Sequence, residues 1–165
     1  MSIFDGIKEI AINQENNFIT PGDYEIGIVC CKHIKSQKKP GQEFFVVEGV
    51  VNKSSGEEAQ PVGTFVSWVC NLTGPAQDKA LEDCKKFTIH ATGADPHEVD
   101  AAFMLALVED EGAQLADAGT TIVCHTWEKI TQRGNPFFVV EWGNDGSTVS
   151  AAEKHYREKT AGIPF

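Results

Sequence analysis

Two segments of this chain carry nearly the same short sequence. Residues 41–48 read GQEFFVVE and residues 134–141 read GNPFFVVE. Each follows a basic stretch, which is 35–40 in the first case and 129–133 in the second. A run of aromatic and β-branched residues bounded by turn residues favours a β-strand. The chain is therefore predicted to contain two matching hairpins, each made of a strand, a basic turn and a second strand.

The other predicted elements surround these hairpins in a definite order. Period-two alternation indicates strands, helical spacing indicates helices, and Gly, Pro, Asn and Asp mark the turns between them. The predicted strands are 24–33, 44–51, 62–72, 120–127 and 137–142. The predicted helical segments are 76–91, a helix that begins at Asp95 and Pro96, and a short final helix with Ser150 and Glu153 as a capping box. Among the aromatic residues, we expect Tyr24, Phe45, Trp68, Phe138 and Trp142 to point inward.

Three strands, a helical segment and two further strands are the order of an OB-fold, a five-stranded Greek-key barrel. The predicted fold class is therefore an all-β core with inserted helices, an OB-fold barrel of order β-β-β-α-β-β with an added C-terminal helix. Another small β-barrel or an α+β sandwich is the alternative. The predicted organisation is an N-terminal arm at 1–20, the OB-fold domain at 21–145 with its helical insertion at 76–110, and a C-terminal helix and tail at 146–165.

Charge is unevenly distributed along the chain. The net charge of −10 argues against a nucleic-acid partner, since phosphate binding rests on Lys and Arg. No Lys or Arg, however, lies between Phe87 and Glu128, whereas 30–42 contains four lysines and no acidic residue. A basic turn on an acidic body can still bind a polyanion. The chain also has no apolar run long enough to cross a bilayer and no signal-peptide pattern, so we expect a cytoplasmic protein.

The two basic turns are the candidate binding elements, because the corresponding loops of an OB-fold flank its oligonucleotide groove. Sequence-tolerant binding of single-stranded DNA needs cations along the phosphates and aromatic planes for the bases. The predicted DNA-binding residues are Lys32, His33, Lys35, Lys38, Lys39, Phe44, Phe65, Trp127, Lys129, Arg133 and Phe137. The competing interpretation is that the aromatic residues pack in the core and the lysines form a solvated turn that guards a sheet edge.

No catalytic motif is recognisable. The sequence has no P-loop, no G-x-G-x-x-G after a strand and no G-x-S-x-G. We therefore predict that the protein is not an enzyme and uses no cofactor. The five cysteines are predicted to be free, buried thiols. A zinc site is disfavoured because adjacent residues on a strand face opposite sides and the usual paired ligand spacings are missing; its ligands would come from Cys30, Cys31, His33, Cys124 and His125.

Several of these segments resemble the single-stranded DNA-binding proteins of tailed bacteriophages. The resembling pieces are 21–24, the Lys-rich turn before 44–48, 61–68, and Gly119 followed by the second hairpin. The resemblance implies an OB-fold that coats single-stranded DNA during phage replication or recombination, in the cytoplasm of the host and with self-association possible. The last residues, Ile163, Pro164 and Phe165, are similar to the tip of bacterial single-stranded DNA-binding proteins, which implies docking to replication or recombination partners.

A rival hypothesis starts from the acidic residues. The segment 95–118 could present its carboxylates to a basic protein as a DNA mimic or inhibitor, or the barrel could serve as a virion component. In either case the protein would be an interaction module that does not bind nucleic acid.

Overall fold

The computed structural model describes Ile3 and residues 17–161, without the side chain of Ala161. The strands are β1 (Gly22–Lys35), β2 (Glu43–Ser55), β3 (Phe65–Asn71), β4 (Thr121–Ile130) and β5 (Pro136–Trp142). The helices are α1 (Gln77–Thr92), α2 (Ala101–Leu107), α3 (Ala113–Asp117) and α4 (Ala151–Ala161), with 3-10 turns at Pro96–Glu98 and Glu109–Gly112. Both predicted hairpins are present, as β1–β2 and β4–β5.

The five strands form one antiparallel sheet in the order β3-β2-β1-β4-β5. The predicted number of strands and the helical insertion between β3 and β4 are confirmed. The predicted closure of the sheet into a barrel is not confirmed, because β3 and β5 lie at the two edges and are not hydrogen-bonded neighbours. Within the described residues the sheet is therefore open.

Strand β1 is irregular, and this changes which cysteine is buried in the core. Its register against β2 shifts between Glu25 and Ile26 and again between Ile28 and Cys30. Such a bulge places an extra residue in one strand and reverses the facing of the residues after it. The regular alternation had assigned Cys30 to the face of Ile28, which is wrong. Cys31 packs in the core with Ile28, whereas the Cys30 Sγ donates to Glu48 at 2.9 Å.

The core lies between one face of the sheet and the helices that follow β3. Four aromatic rings from β2, β3, α1 and β5 contact one another there: Phe45, Trp68, Phe87 and Trp142. The inward positions predicted for Tyr24, Phe45, Trp68 and Trp142 are confirmed, and Phe138 is half-buried. Helix α1 therefore connects the two halves of the open sheet through aromatic packing.

The helix predicted from Asp95 onward is divided. Asp95 caps a 3-10 turn by accepting from the N–H of His97 at 2.9 Å, and Asp100 caps α2 by accepting from the N–H of Phe103 at 2.9 Å. The second N-cap, Asp100, interrupts the helix after one turn because an N-cap has extended rather than helical backbone. Helix α3 was not predicted; it follows Gly112, which has a left-handed backbone conformation.

Candidate nucleic-acid interface

One face of the sheet points away from the core, and we call it the outer face. Residues paired across antiparallel strands point to the same side, so the register separates the core residues from the others. The outer face on β1, β2 and β3 carries Asp23, Glu25, Cys30, Lys32, Ile34, Phe44, Val46, Glu48, Val50, Lys53, Phe65, Ser67, Val69 and Asn71. On β4 and β5 it carries Val123, His125, Trp127, Lys129, Phe137, Val139 and Glu141.

The two basic turns lie at opposite ends of this face. The first turn is 36–42, between β1 and β2, and the second turn is 131–135, between β4 and β5. Strands β1 and β4 run antiparallel with Gly22 beside Thr126, so β4 continues to the second turn beyond the start of β1. The first turn follows the other end of β1. A strand of nucleic acid that connected the two turns would have to cross the outer face.

The first turn has a defined backbone and exposed lysines. The N–H of Ser36 donates to the carbonyl of Gln42 at 2.9 Å, and the N–H of Lys39 donates to the Ser36 hydroxyl at 3.2 Å. Lys35, Lys38 and Lys39 are exposed, and no ion pair within the described residues involves them. These three lysines are available to an anion.

Lys32 and His33 are less available than the sequence suggested. Lys32 lies on the outer face, but its Nζ is 3.6 Å from a Glu48 carboxylate oxygen. His33 pairs with Phe45 and so points to the core side, where its Nε2 is 3.0 Å from a carboxylate oxygen of Glu43. It borders an apolar groove of about 470 Å³ between α1, α2 and the end of the sheet. The structure therefore places His33 away from the outer face.

The second turn is also well defined, and its cations are exposed. The N–H of Thr131 donates to the carbonyl of Asn135 at 2.8 Å, and the N–H of Asn135 donates to the Thr131 hydroxyl at 3.2 Å. Lys129 and Arg133 are both exposed. Phe137 pairs with Lys129 on the outer face and is 58% exposed. A cation and an aromatic plane thus lie side by side next to this turn.

Two more predicted aromatic residues lie on the outer face. Phe44 is half-buried next to the first turn, between its cross-strand partners Ile34 and Asn71. Phe65 is half-buried at the far end of β3, beside Val50. Phe18, which sequence reasoning missed, is 45% exposed and forms a parallel bridge to Ser67 on β3. Its position depends on a pairing between distant segments, for which the sequence carries no signal.

Trp127 lies on the outer face as predicted, but it is not open to solvent. It is 7% exposed, because Tyr156 of α4 packs on it with ring centroids 5.5 Å apart. Its indole N–H donates to a carboxylate oxygen of Glu141 at 3.0 Å. The prediction of an accessible stacking ring is therefore wrong for this arrangement of α4, since no base can reach the indole face.

A histidine clamp holds α4 beside Trp127. The Nδ1 of His125 is 2.6 Å from Asp23 on β1, and its Nε2 is 2.7 Å from Glu153 on α4. Arg157 pairs with the other oxygen of Glu153. Burial by itself lowers the pKa of His125, but the hydrogen bonds to Asp23 and Glu153 outweigh it, and the net pKa is raised. The two carboxylates therefore stabilise the imidazolium relative to the neutral ring, and an imidazolium can donate from both ring nitrogens.

The clamp also changes the role predicted for the cap of α4. The N–H of Glu153 does donate to the Ser150 hydroxyl at 3.1 Å, as a capping box requires. The Glu153 carboxylate, however, is turned toward His125 and Arg157. The sequence signal for a cap was correct for the backbone of this residue but did not reveal the contact of its side chain.

The five cysteines form no disulfide bonds. All five are buried and free, as predicted. Burial raises the pKa of Cys31 and Cys124 to about 12, which keeps both as thiols at neutral pH. No group of three or more potential metal ligands occurs in the part of the chain that the structure describes.

Several predictions fall outside the described residues. Ile163, Pro164 and Phe165 come after the last described position, and most of the predicted N-terminal arm precedes residue 17. Among the helices that are described, none is long and apolar enough to cross a membrane.

No protein-family model matches the chain, and a search of curated proteins finds no match either.

Proposed function

We propose that this protein binds single-stranded DNA without catalysis and with little sequence preference, and that its open sheet is a variant of the OB-fold. The strand order, with a helix inserted between β3 and β4, supports that fold. So does the contact between the rings of Trp68 and Trp142, which joins the side chains of β3 and β5 across the core. The resemblance to phage proteins extends the proposal to the coating of strands during replication or recombination.

The observation that carries the proposal is the outer face with an exposed basic turn at each end. Lys38 and Lys39 lie in the first turn, and Arg133 lies in the second. Phe44, Phe65 and Phe137 occupy the face between these turns. Cations that follow the phosphates, together with rings on which bases stack, are the combination that single-strand binding requires.

The charge of the rest of the molecule fits this interface. The insertion between α1 and β4 carries exposed carboxylates and no Lys or Arg. The carboxylates of this insertion disfavour binding of a polyanion on their part of the surface, so the basic turns are the more favourable sites. With about four phosphate contacts, the logarithm of the affinity should fall with the logarithm of the salt concentration at a slope of about −3.

The test is fluorescence polarisation with a labelled oligothymidine. Replacing Lys35, Lys38 and Lys39 by Gln should weaken binding at least about tenfold at low salt and make the slope less steep by about 2. The matched control replaces Lys79, Lys85 and Lys86 of α1 by Gln, which changes the net charge equally on another surface. Absence of binding by the parent protein at low salt would rule the proposal out.

A second candidate function rests on the acidic insertion. Asp95, Glu98, Glu109, Asp110 and Asp117 are all exposed, and no ion pair within the described residues involves them. Such a surface fits a basic protein partner, as a DNA mimic would. This candidate predicts binding to a basic protein at low salt together with no affinity for oligothymidine.

A further inference from the structure

Helix α4 covers part of the outer face through a few specific contacts. The ring of Tyr156 packs on Trp127, and the Tyr156 hydroxyl accepts the N–H of Ile130 at 2.8 Å. One turn earlier in α4, Glu153 binds His125. The helix therefore lies over His125 and Trp127 of β4, next to the second basic turn.

The attachment of α4 is mostly polar. The helix reads AAEKHYREKTA and contains no branched aliphatic residue. At the position of closest contact with the sheet it buries a carboxylate, since Glu153 is 1% exposed. An 11-residue helix has little stability of its own, so α4 depends on these contacts to stay in place. A buried ion pair adds little net stability compared with apolar residues of similar volume. Removing only one partner is strongly destabilising, because the other charge is then buried without a counter-charge.

The clamp is the sensitive point of this attachment. The charged groups facing His125 are Asp23 from β1, Glu141 from β5, and Glu153 with Arg157 from α4. A neutral imidazole has one N–H and can donate to one of the two carboxylates. When the imidazolium loses a proton, either Asp23 or Glu153 therefore loses its hydrogen bond from His125, and the connection between sheet and helix is weakened.

The surface under α4 has the features of the proposed interface. Trp127 lies beneath the helix, and its cross-strand partner Val139 is half-buried. Next to this pair, Lys129 is paired with Phe137, and both are exposed. We infer that this part of β4 and β5 extends the proposed binding surface for single-stranded nucleic acid, and that α4 covers it while the His125 clamp is closed and exposes it when the clamp opens. The inference rests on the proposed function and adds a covered stacking residue to it.

Opening of α4 is tested first without nucleic acid. The double variant Glu153→Gln/Tyr156→Ala should expose Trp127, so that acrylamide quenches tryptophan fluorescence more strongly than in the parent. Glu158→Gln, with the same charge change at an exposed position of α4, is the control and should behave as the parent. Adding Trp127→Phe to the double variant should remove the extra quenching. Equal quenching of parent and double variant would contradict the inference.

Affinity for oligothymidine provides the second test. The double variant should bind at least about fivefold more tightly than the parent, which is the effect of one stacked base, and Trp127→Ala in the double variant should abolish this gain. Circular dichroism checks that each variant is folded.

The outcomes separate the two proposals. If the parent binds and the double variant binds equally or more weakly, the inference fails while the proposed function stands. Weaker binding would in addition indicate that Lys154, Arg157 and Lys159 of α4 contribute to the interface. If no form binds, both fail.

Discussion

Trp68 of β3 and Trp142 of β5 meet edge to face, with ring centroids 5.6 Å apart, although their strands lie at opposite edges of the sheet. Phe87 of α1 contacts both rings. Packing among side chains thus joins the two edges where no backbone ladder does.

Trp142 should therefore be a major source of stability. Trp142→Ala is expected to lower the free energy of unfolding by about 3–5 kcal/mol, measured by urea denaturation. The indole N–H of Trp142 is buried and has no hydrogen-bond partner in the described residues. Trp142→Phe keeps an aromatic ring and removes this unpaired donor, so it should cost less than about 2 kcal/mol. Equal losses for the two variants would contradict the packing role.

The clamp at His125 should make stability depend on pH. A raised pKa in the folded state means that the clamp contributes fully below the unfolded pKa of about 6.5 and loses its contribution as the pH rises through the folded value. Urea unfolding from pH 6 to pH 9 should show this decline in the parent. His125→Gln should remove it, whereas His155→Gln, at an exposed position of α4, should keep it. An unchanged decline in His125→Gln would assign the effect to another group.

The phenylalanines of the two matching segments should differ in function, one contributing to binding and the other to stability. Phe137→Ala is expected to weaken oligothymidine binding about fivefold or more and to leave the free energy of unfolding within about 0.5 kcal/mol of the parent, because the ring is mostly exposed. Phe45→Ala removes a core ring and should lower stability by about 3–5 kcal/mol. Polarisation and urea denaturation on both variants give the comparison, and a stability loss in Phe137→Ala equal to that in Phe45→Ala would contradict it.

Gly112 should tolerate no side chain. Its φ is +76°, and a Cβ there would lie 2.7 Å from the Cβ of Cys31 in the core. Gly112→Ala is expected to cost about 2–4 kcal/mol, from backbone strain together with displacement of β1. Gly119, with φ of +65° and open space around it, is the control, and Gly119→Ala should cost about 1 kcal/mol. Similar losses at both positions would show that the contact with Cys31 is unimportant.

Local patterns in the sequence predicted the elements, and contacts between distant segments decided the rest. The alternation around Phe44 and Phe65 assigned both to the correct face, and the turn signals located the two hairpins. The bulge at Cys30 could not be anticipated, since it depends on the pairing of β1 with β2. Trp127 was assigned to the correct face, but it is covered by Tyr156. The two residues are distant in the sequence, so their contact could not be predicted from it.

In the candidate site, too, some features follow from local sequence and others depend on contacts between distant segments. Exposure of Lys38, Lys39 and Arg133 follows from their positions in turns, where side chains are solvated. The clamp joins Asp23, His125 and Glu153 from three separate elements, and no residue of the three signals this contact in the sequence. Only the fold brings the two carboxylates to one imidazole.

The bridge between Phe18 and Ser67 has a consequence for how copies of this protein meet. The N–H of Ser67 donates to the carbonyl of Asn17 at 3.0 Å, so residues before β1 occupy backbone groups at the free edge of β3. An unoccupied edge is a template on which another chain can add a strand. Asn17 and Phe18 thus occupy the Phe65–Ser67 end of this edge, where a strand of a second copy would otherwise be able to pair.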